Sequence, residues 1–162
     1  EDPLFDGAKG SAKWRVEHDP TSLAVLDIAP SVRGSELRMR YGLSGGPPAG
    51  QYAALVVDTP NGLAPNDRLT FTTRAERPMR ISVQLRAPAP RDATEQWQRS
   101  VYVEPLDRDR TIYFDDMTPL GATRTSRPVP ADVRSIIFVV ELTNTEPGSS
   151  GRLWIKRAAL QR

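Results

Sequence analysis

Proline interrupts this chain too often for long helices to form. Fifteen of its 162 residues are proline. They gather between apolar segments: Pro47 with Pro48, Pro60 and Pro65, Pro88 and Pro90, Pro119, then Pro128 and Pro130. Proline offers no backbone N–H to a hydrogen-bonded ladder and blocks the interior of a helix. Such regular punctuation therefore reads as loops joining many strands.

The segments between the prolines carry the matching signal, an alternation of period two. Leu23 to Ile28 is a short β-rich run, and Glu36 to Leu43 sets Leu37, Met39 and Tyr41 against Glu36, Arg38 and Arg40. A Gly45-Gly46-Pro47-Pro48 turn precedes Tyr52 to Asp58, which is almost wholly apolar, as a strand covered on both faces would be. Arg68 to Arg74 and Arg80 to Arg86 alternate again. In the second, Ile81, Val83 and Leu85 oppose Arg80, Ser82, Gln84 and Arg86. Trp97 to Val103 sends Gln98, Ser100 and Tyr102 to one side, and Thr111 to Phe114 is short. Arg134 to Leu142 has the most buried character, and Arg152 to Ala159 closes the chain. Asn61-Gly62 with Pro65-Asn66 marks a long loop, and Asp132 to Ser135 has room for one helical turn. About nine strands at spacings of roughly 8–20 residues, with long connections, define an all-β antiparallel β-sandwich of jelly-roll type. No internal repeat and no long linker divides it, so residues 1–162 read as a single β-sandwich domain.

Composition narrows the function. Hydrophobic residues make up 38% and charged residues 26%, which is enough apolar material for a packed core and too little charge for a disordered chain. The longest apolar run, Ile136 to Val140, is strand-sized, far short of the ~20 residues that cross a bilayer, so no membrane insertion is expected. Glu1 to Gly10 lacks the pattern of a secretory signal and reads as the start of a mature chain or of a fragment excised from a larger protein. The absence of cysteine removes disulfides, thiolate catalysis and thiolate-bound zinc. Net charge is +2, and acidic residues interleave with basic ones, which argues against nucleic acid as a partner. Within the basic set, 19 residues are arginine and three lysine (Lys9, Lys13, Lys156). Arginine brings a planar fork suited to carboxylates, sulfates and phosphates.

Catalytic patterns are missing. His18, the one histidine, lies beside Pro20 with no Gly-x-Ser-x-Gly elbow to serve, and the glycine-rich stretch from Gly42 to Gly50 lacks the Lys-Ser/Thr of a phosphate loop. Asp115 and Asp116 are adjacent, so on a strand they would face apart. Asp107 and Asp109 sit among Arg108 and Arg110 and read as ion-pair residues rather than as the two carboxylates of a glycosidase. The single arrangement available to a lyase is Tyr102 beside Arg86 or Arg99. No catalytic residue, no metal ligand and no cofactor is therefore assigned. A structural calcium ion could use loop carboxylates, but no Asp-x-Asp-x-Asp-Gly loop supports one.

The polar faces of the strands are more informative. Arg80, Ser82, Gln84 and Arg86 share one face, Gln98, Ser100 and Tyr102 another, with Trp97 at the entrance of its strand and Arg74 on the strand before. If these strands are neighbours, aromatic faces and paired polar groups are arranged as a sugar requires, and the surplus of arginine would suit an anionic glycan. Arg74, Arg80, Gln84, Arg86, Trp97 and Tyr102 are the candidate ligand-binding residues. Any antiparallel sheet with one wet face shows the same alternation, so a plain solvated surface is the competing reading.

Four segments stand out together: Phe5-Asp6-Gly7 with Trp14, Tyr41-Gly42-Leu43-Ser44, Ile112 to Pro119, and Val133 to Asn144 followed by Pro147-Gly148 and Gly151 to Ile155. They resemble the galactose-binding-like jelly-roll class and are most similar to family 11 carbohydrate-binding modules and the complex I intermediate-associated protein 30 (CIA30) domain. The chain departs from the family where Asp19-Pro20-Thr21-Ser22 stands in place of a Gly-Gly-Ser after the first Asp. The resemblance implies a non-catalytic, extracytoplasmic accessory domain (secreted, periplasmic or of the cell envelope) that binds a polysaccharide or oligosaccharide on a sheet face. It also leaves a second role open, as a protein-interaction or sensory domain contacting other domains of a parent protein.

Overall fold

The structure, a computed structural model, describes residues 1–32, 34–46, 50–142 and 145–162. Among them twelve strands form: β1 (Asp2–Phe5), β2 (Trp14–His18), β3 (Leu23–Ser31), β4 (Gly34–Gly42), β5 (Tyr52–Asp58), β6 (Arg68–Ala75), β7 (Met79–Ala89), β8 (Ala93–Val103), β9 (Arg108–Tyr113), β10 (Thr118–Pro119), β11 (Ser135–Glu141) and β12 (Ser150–Gln161). All nine strands expected from alternation are present. The additional three are β1, β2 and β10, which are short, contain proline or mix charge with apolar residues, so alternation does not mark them. The helical turn expected at Asp132 to Ser135 lies slightly earlier, as a 3₁₀ turn at Pro130–Asp132. Asp115 and Asp116 fall in another such turn, Phe114–Asp116, rather than on a strand. Pro47, Pro48 and Asn144, which entered the expectations above, lie outside the described residues.

The strands pair antiparallel in two sheets. One has the order β3-β4-β12-β6-β9, with β1 also on β12; the other has the order β10-β8-β7-β11-β5-β2. Most sequence neighbours cross from one sheet to the other, as jelly-roll connections demand, while β3–β4 and β7–β8 are hairpins within a sheet. The inward residues meet in one core. Leu55, Val83, Leu85, Ile136 and Phe138 from the second sheet face Leu37, Met39, Phe71, Leu153 and Ile155 from the first. Phe138 joins the layers directly. Its ring stacks edge-on against Phe71 at 5.2 Å and lies tilted against Trp14 at 5.7 Å, contacts worth about 0.5–1.5 kcal/mol each beyond their buried area.

Two turns hold the ends of this sandwich. Gly62 has φ of +77°, and a side chain there would meet the Ala131 carbonyl oxygen at 2.5 Å, so only glycine lets the two loops approach. The β7–β8 hairpin turns through Arg91 and Asp92, both with positive φ (65° and 59°). That pair of left-handed residues gives the twist matching a hairpin, and it is reached here without glycine.

Candidate functional site

The outer face of the second sheet collects most of the polar side chains expected to act together. Strands β7 and β8 are neighbours, and their register sets Arg80 opposite Tyr102, Ser82 opposite Ser100, Gln84 opposite Gln98 and Arg86 opposite Gln96. On the other side of β7, Gln84 faces Ile137 and Ser82 faces Val139 of β11. Strand β11 in turn sets Ile137 beside Val56, Val139 beside Ala54 and Glu141 beside Tyr52 of β5. The centre is a ladder of hydrogen bonds. Gln84 Nε2 donates to Ser82 Oγ (3.2 Å), which donates to Gln98 Oε1 (3.1 Å).

Part of this face is an open groove of about 430 Å³ lined by Arg80, Ser82, Gln98, Ser100, Thr118 and Glu141, with Arg99 and Asp116 at its β10 side. Arg80 Nε donates to Ser100 Oγ at 2.8 Å, which lays its guanidinium along the groove wall. Tyr102, 40% exposed, stands on the rim. Glu141 has no ion-pair partner among the described residues, and burial pushes its carboxyl above the usual carboxylate range. The groove therefore offers hydroxyls, amides, a guanidinium and an acceptor-only carboxylate within one hollow, an array of both hydrogen-bonding senses.

The rest of the face is covered. Ala54, Val56, Ile137 and Val139 form an apolar floor on the outer side of the sheet, with Tyr52 packed against it. All four are buried although, among the described residues, no third sheet is formed to cover that face. Arg86 from β7 reaches across β11 and β5 to Glu17 on β2, with its two Nη atoms 3.1 and 3.0 Å from the two carboxylate oxygens. Glu17 also accepts from Arg15 (2.8 Å), whose guanidinium holds Asp58 at 3.1 Å. The Arg86 guanidinium, helped by Arg15 and opposed by burial, holds the Glu17 carboxyl at about 2. Burial also raises the Tyr52 phenol, which feels the charges of Glu17 and Arg86 beside it.

Two of the six expected binding residues lie elsewhere. Trp97 is 2% exposed and belongs to the core. It shares the inward phase of Val101 and Val103, faces Leu85, and donates Nε1 to the Thr125 carbonyl (3.3 Å). Its odd-numbered position on β8 settles its direction; a place at the start of a strand does not turn a side chain to the other face. Arg74 sits on β6, in the opposite sheet. It packs over the Trp154 ring at 4.4 Å and binds both oxygens of the buried Glu36 at 2.8 and 2.7 Å. Trp154 is accordingly an outer-face residue beneath arginine rather than a member of the core, whereas Trp14 does pack there. Arg80, Gln84, Arg86 and Tyr102 do share one face, with Arg86 committed to Glu17. Tyr102 is level with Arg80 and far along the strand from Arg86, so no Tyr102–Arg86 pair forms.

Sequence reading missed Glu17, Tyr52, Thr118 and Glu141. Tyr52 and Glu141 end apolar runs in the same phase as Ala54 and Ile137, a signal visible only once the outer face is known. Glu17 and Thr118 are brought in by strand order alone. Among the described residues no group of three or more His, Asp or Glu side chains is placed to hold a metal ion. Among the same residues, no helix is long and apolar enough to cross a membrane.

No family model and no curated relative matches the sequence. Solved structures do. A family 11 carbohydrate-binding module from Clostridium thermocellum, solved with a β-1,3-1,4-mixed-linked tetrasaccharide, superposes with a TM-score of 0.78 at 14% identity, covering 97% of this chain and 93% of that one. A family 30 module of a cellulosomal cellulase from the same organism gives 0.69 at 9% identity, with 98% and 95% covered. A family 28 module specific for non-crystalline cellulose gives 0.64 at 13% identity, with 99% and 92% covered. The chain thus has the jelly-roll fold of these carbohydrate-binding modules over essentially its full length.

Proposed function

We propose that this protein is a non-catalytic carbohydrate-binding module that takes a neutral glycan, of the β-glucan class, in the groove on the outer face of the β10-β8-β7-β11-β5-β2 sheet. The observation that carries the reading is the open groove itself, in which Ser82, Gln98, Ser100, Thr118, Arg80 and Glu141 converge beside the exposed ring of Tyr102. Sugar hydroxyls donate and accept at once, and a lining with both senses of hydrogen bond plus an aromatic rim fits them. The solved modules that share the fold add support, since their names record a β-1,3-1,4-mixed-linked tetrasaccharide and non-crystalline cellulose as ligands.

An anionic glycan fits less well. The arginines of the face are already engaged: Arg86 by Glu17, Arg15 by Glu17 and Asp58, Arg80 by Ser100 and Arg99 by the Asp116 carbonyl. Glu141 and Asp116 place negative charge in the same hollow. A uronate would find no free cluster of cations and would meet an unpaired carboxylate. A module of this kind acts outside the cytoplasm, on polysaccharide, as an appendage of a larger protein.

Calorimetric titration with soluble mixed-linkage glucan and cello-oligosaccharides tests the reading. Binding in the micromolar to millimolar range is expected, with Tyr102→Ala and Gln98→Ala each weakening it on the order of tenfold. Absence of binding to any neutral glycan at millimolar concentration, or capture of a protein partner that free sugar does not displace, would replace this function with an interaction role.

A further inference from the structure

The Arg86–Glu17 bridge is placed where a surface ion pair has no local reason to be. Its partners sit on strands separated by two others, about 14 Å across a flat sheet, and are offset along the strands as well, since Glu17 is level with Ser82 rather than with Arg86, which adds about 13 Å. The two side chains can meet because opposite corners of a twisted sheet curl toward each other. Beneath their path lie Ile137, Val56 and Ala54, apolar side chains on an outer face that are nonetheless buried. The bridge is bidentate, is extended by Arg15 and Asp58, and has Tyr52 at its side. On the far side of Gln84 the face is open and polar. One continuous sheet face is therefore divided into an open half on β11, β7, β8 and β10 and a roofed half on β11, β5 and β2.

We propose that the Arg86–Glu17 bridge is a specificity element that ends the glycan groove: it roofs the aliphatic floor of Ala54, Val56 and Ile137 and confines the protein to a short stretch of sugar. This rests on the reading of the open groove as the glycan site. With the bridge in place, a longer chain meets a guanidinium–carboxylate wall after crossing Gln84. With the bridge gone, the same chain can lay the C–H faces of further sugar units on the aliphatic floor, with the Tyr52 ring alongside. Charge strengthens the wall, because an ion pair with both partners half-buried and hydrogen-bonded at both ends costs more to part than an exposed one.

Two measurements on the whole chain test this. The protein has no cysteine, so Ile137→Cys introduces a unique thiol beneath the bridge. Its labelling by a maleimide is expected to be slow with Arg86 and Glu17 intact and at least tenfold faster when Arg86→Met and Glu17→Gln are added. Equal rates would overturn the proposal. The second measurement is affinity against oligosaccharide length. The unaltered protein is expected to stop gaining affinity at short oligomers, whereas Arg86→Met/Glu17→Gln gains on the order of tenfold more for long ones and is unchanged for short ones. Should Arg86→Met/Glu17→Gln fail to fold, Arg86→Lys/Glu17→Asp keeps both charges on side chains too short to meet and carries the same expectations. If sugar binds but the length profile is the same in both proteins, the bridge is only structural and the glycan site stands. If neither protein binds sugar, the glycan site falls and the proposal with it.

Discussion

Among single residues, burial separates those that hold the fold from those that meet a ligand. Trp97 and Tyr102 sit five positions apart on β8 and face opposite ways, one in the core and one on the groove rim. Trp97→Ala is expected to cost about 3–5 kcal/mol of stability with little change in affinity per folded molecule. Tyr102→Ala should do the reverse, leaving the unfolding free energy within about 0.5 kcal/mol of that of the unaltered protein. Titration in parallel with chemical unfolding separates the two effects. Glu17 makes the pH dependence specific. Its carboxyl is held at about 2 in the folded protein, below the ordinary glutamate value of 4.5, so the unfolded chain binds the extra proton between those values. Stability from this group is fully present above about pH 4.5 and drains away as pH falls toward 2, by on the order of 2 kcal/mol. Glu141 acts in the opposite sense and in a different window: burial raises its pKa, so the folded state holds the proton more firmly and stability declines slightly as pH rises above about 4.5. Urea midpoints measured from pH 6 down to pH 3 should therefore fall in the unaltered protein and fall less in Glu17→Gln, in which Asp19, Asp27 and Glu95, whose carboxyls are also held low, keep the rest of the dependence.

At the scale of elements, strands were legible wherever both signals coincided, an alternating face and a proline or glycine boundary. β7 shows this best, because Ile81, Val83 and Leu85 point inward and Arg80, Ser82, Gln84 and Arg86 outward as their spacing requires. β1 and β2 were not legible. Pro3 interrupts the first, and Arg15, Glu17 and His18 give the second the look of a loop; both are strands because β12 and β5 supply backbone partners for them. The candidate site was legible by half for the same reason. Which residues share a strand face follows from sequence, but that Glu17 closes over Ile137, and that Arg74 belongs to the other layer, follows from strand order, which local pattern does not encode. The β7–β8 hairpin offers a test at this scale. Asp92 carries a left-handed backbone conformation that costs an ordinary residue roughly 1–2 kcal/mol. Asp92→Gly is expected to raise the thermal midpoint by a few degrees, reduced by the greater freedom glycine brings to the unfolded chain. A lower midpoint would show that the Asp92 side chain contributes more than its backbone strain.

For the molecule as a whole, the two layers carry different duties. One sheet turns a groove and a roofed floor outward. The other turns a paired surface outward, with Arg74 on Glu36, Arg38 on Asp27 and Arg152 on Glu76. That second layer depends on β1, the first strand of the chain, which lies against the last, with Asp2 paired to Leu160 and Phe5 to Ala158. Deleting residues 1–5 would remove the buried Leu4 and Phe5 and strip the Trp14 Nε1 of its acceptor, the Leu4 carbonyl. Loss of about 3–5 kcal/mol is expected from Phe5 alone, read as a large drop in the thermal midpoint, and an unchanged midpoint would mean that β1 is dispensable. The adjacency of β1 and β12 has a further consequence. Asp2 and Leu160 lie side by side in the layer opposite the groove. A label attached beside either would sit away from the open mouth, whereas labels attached beside both would compete for one patch of space.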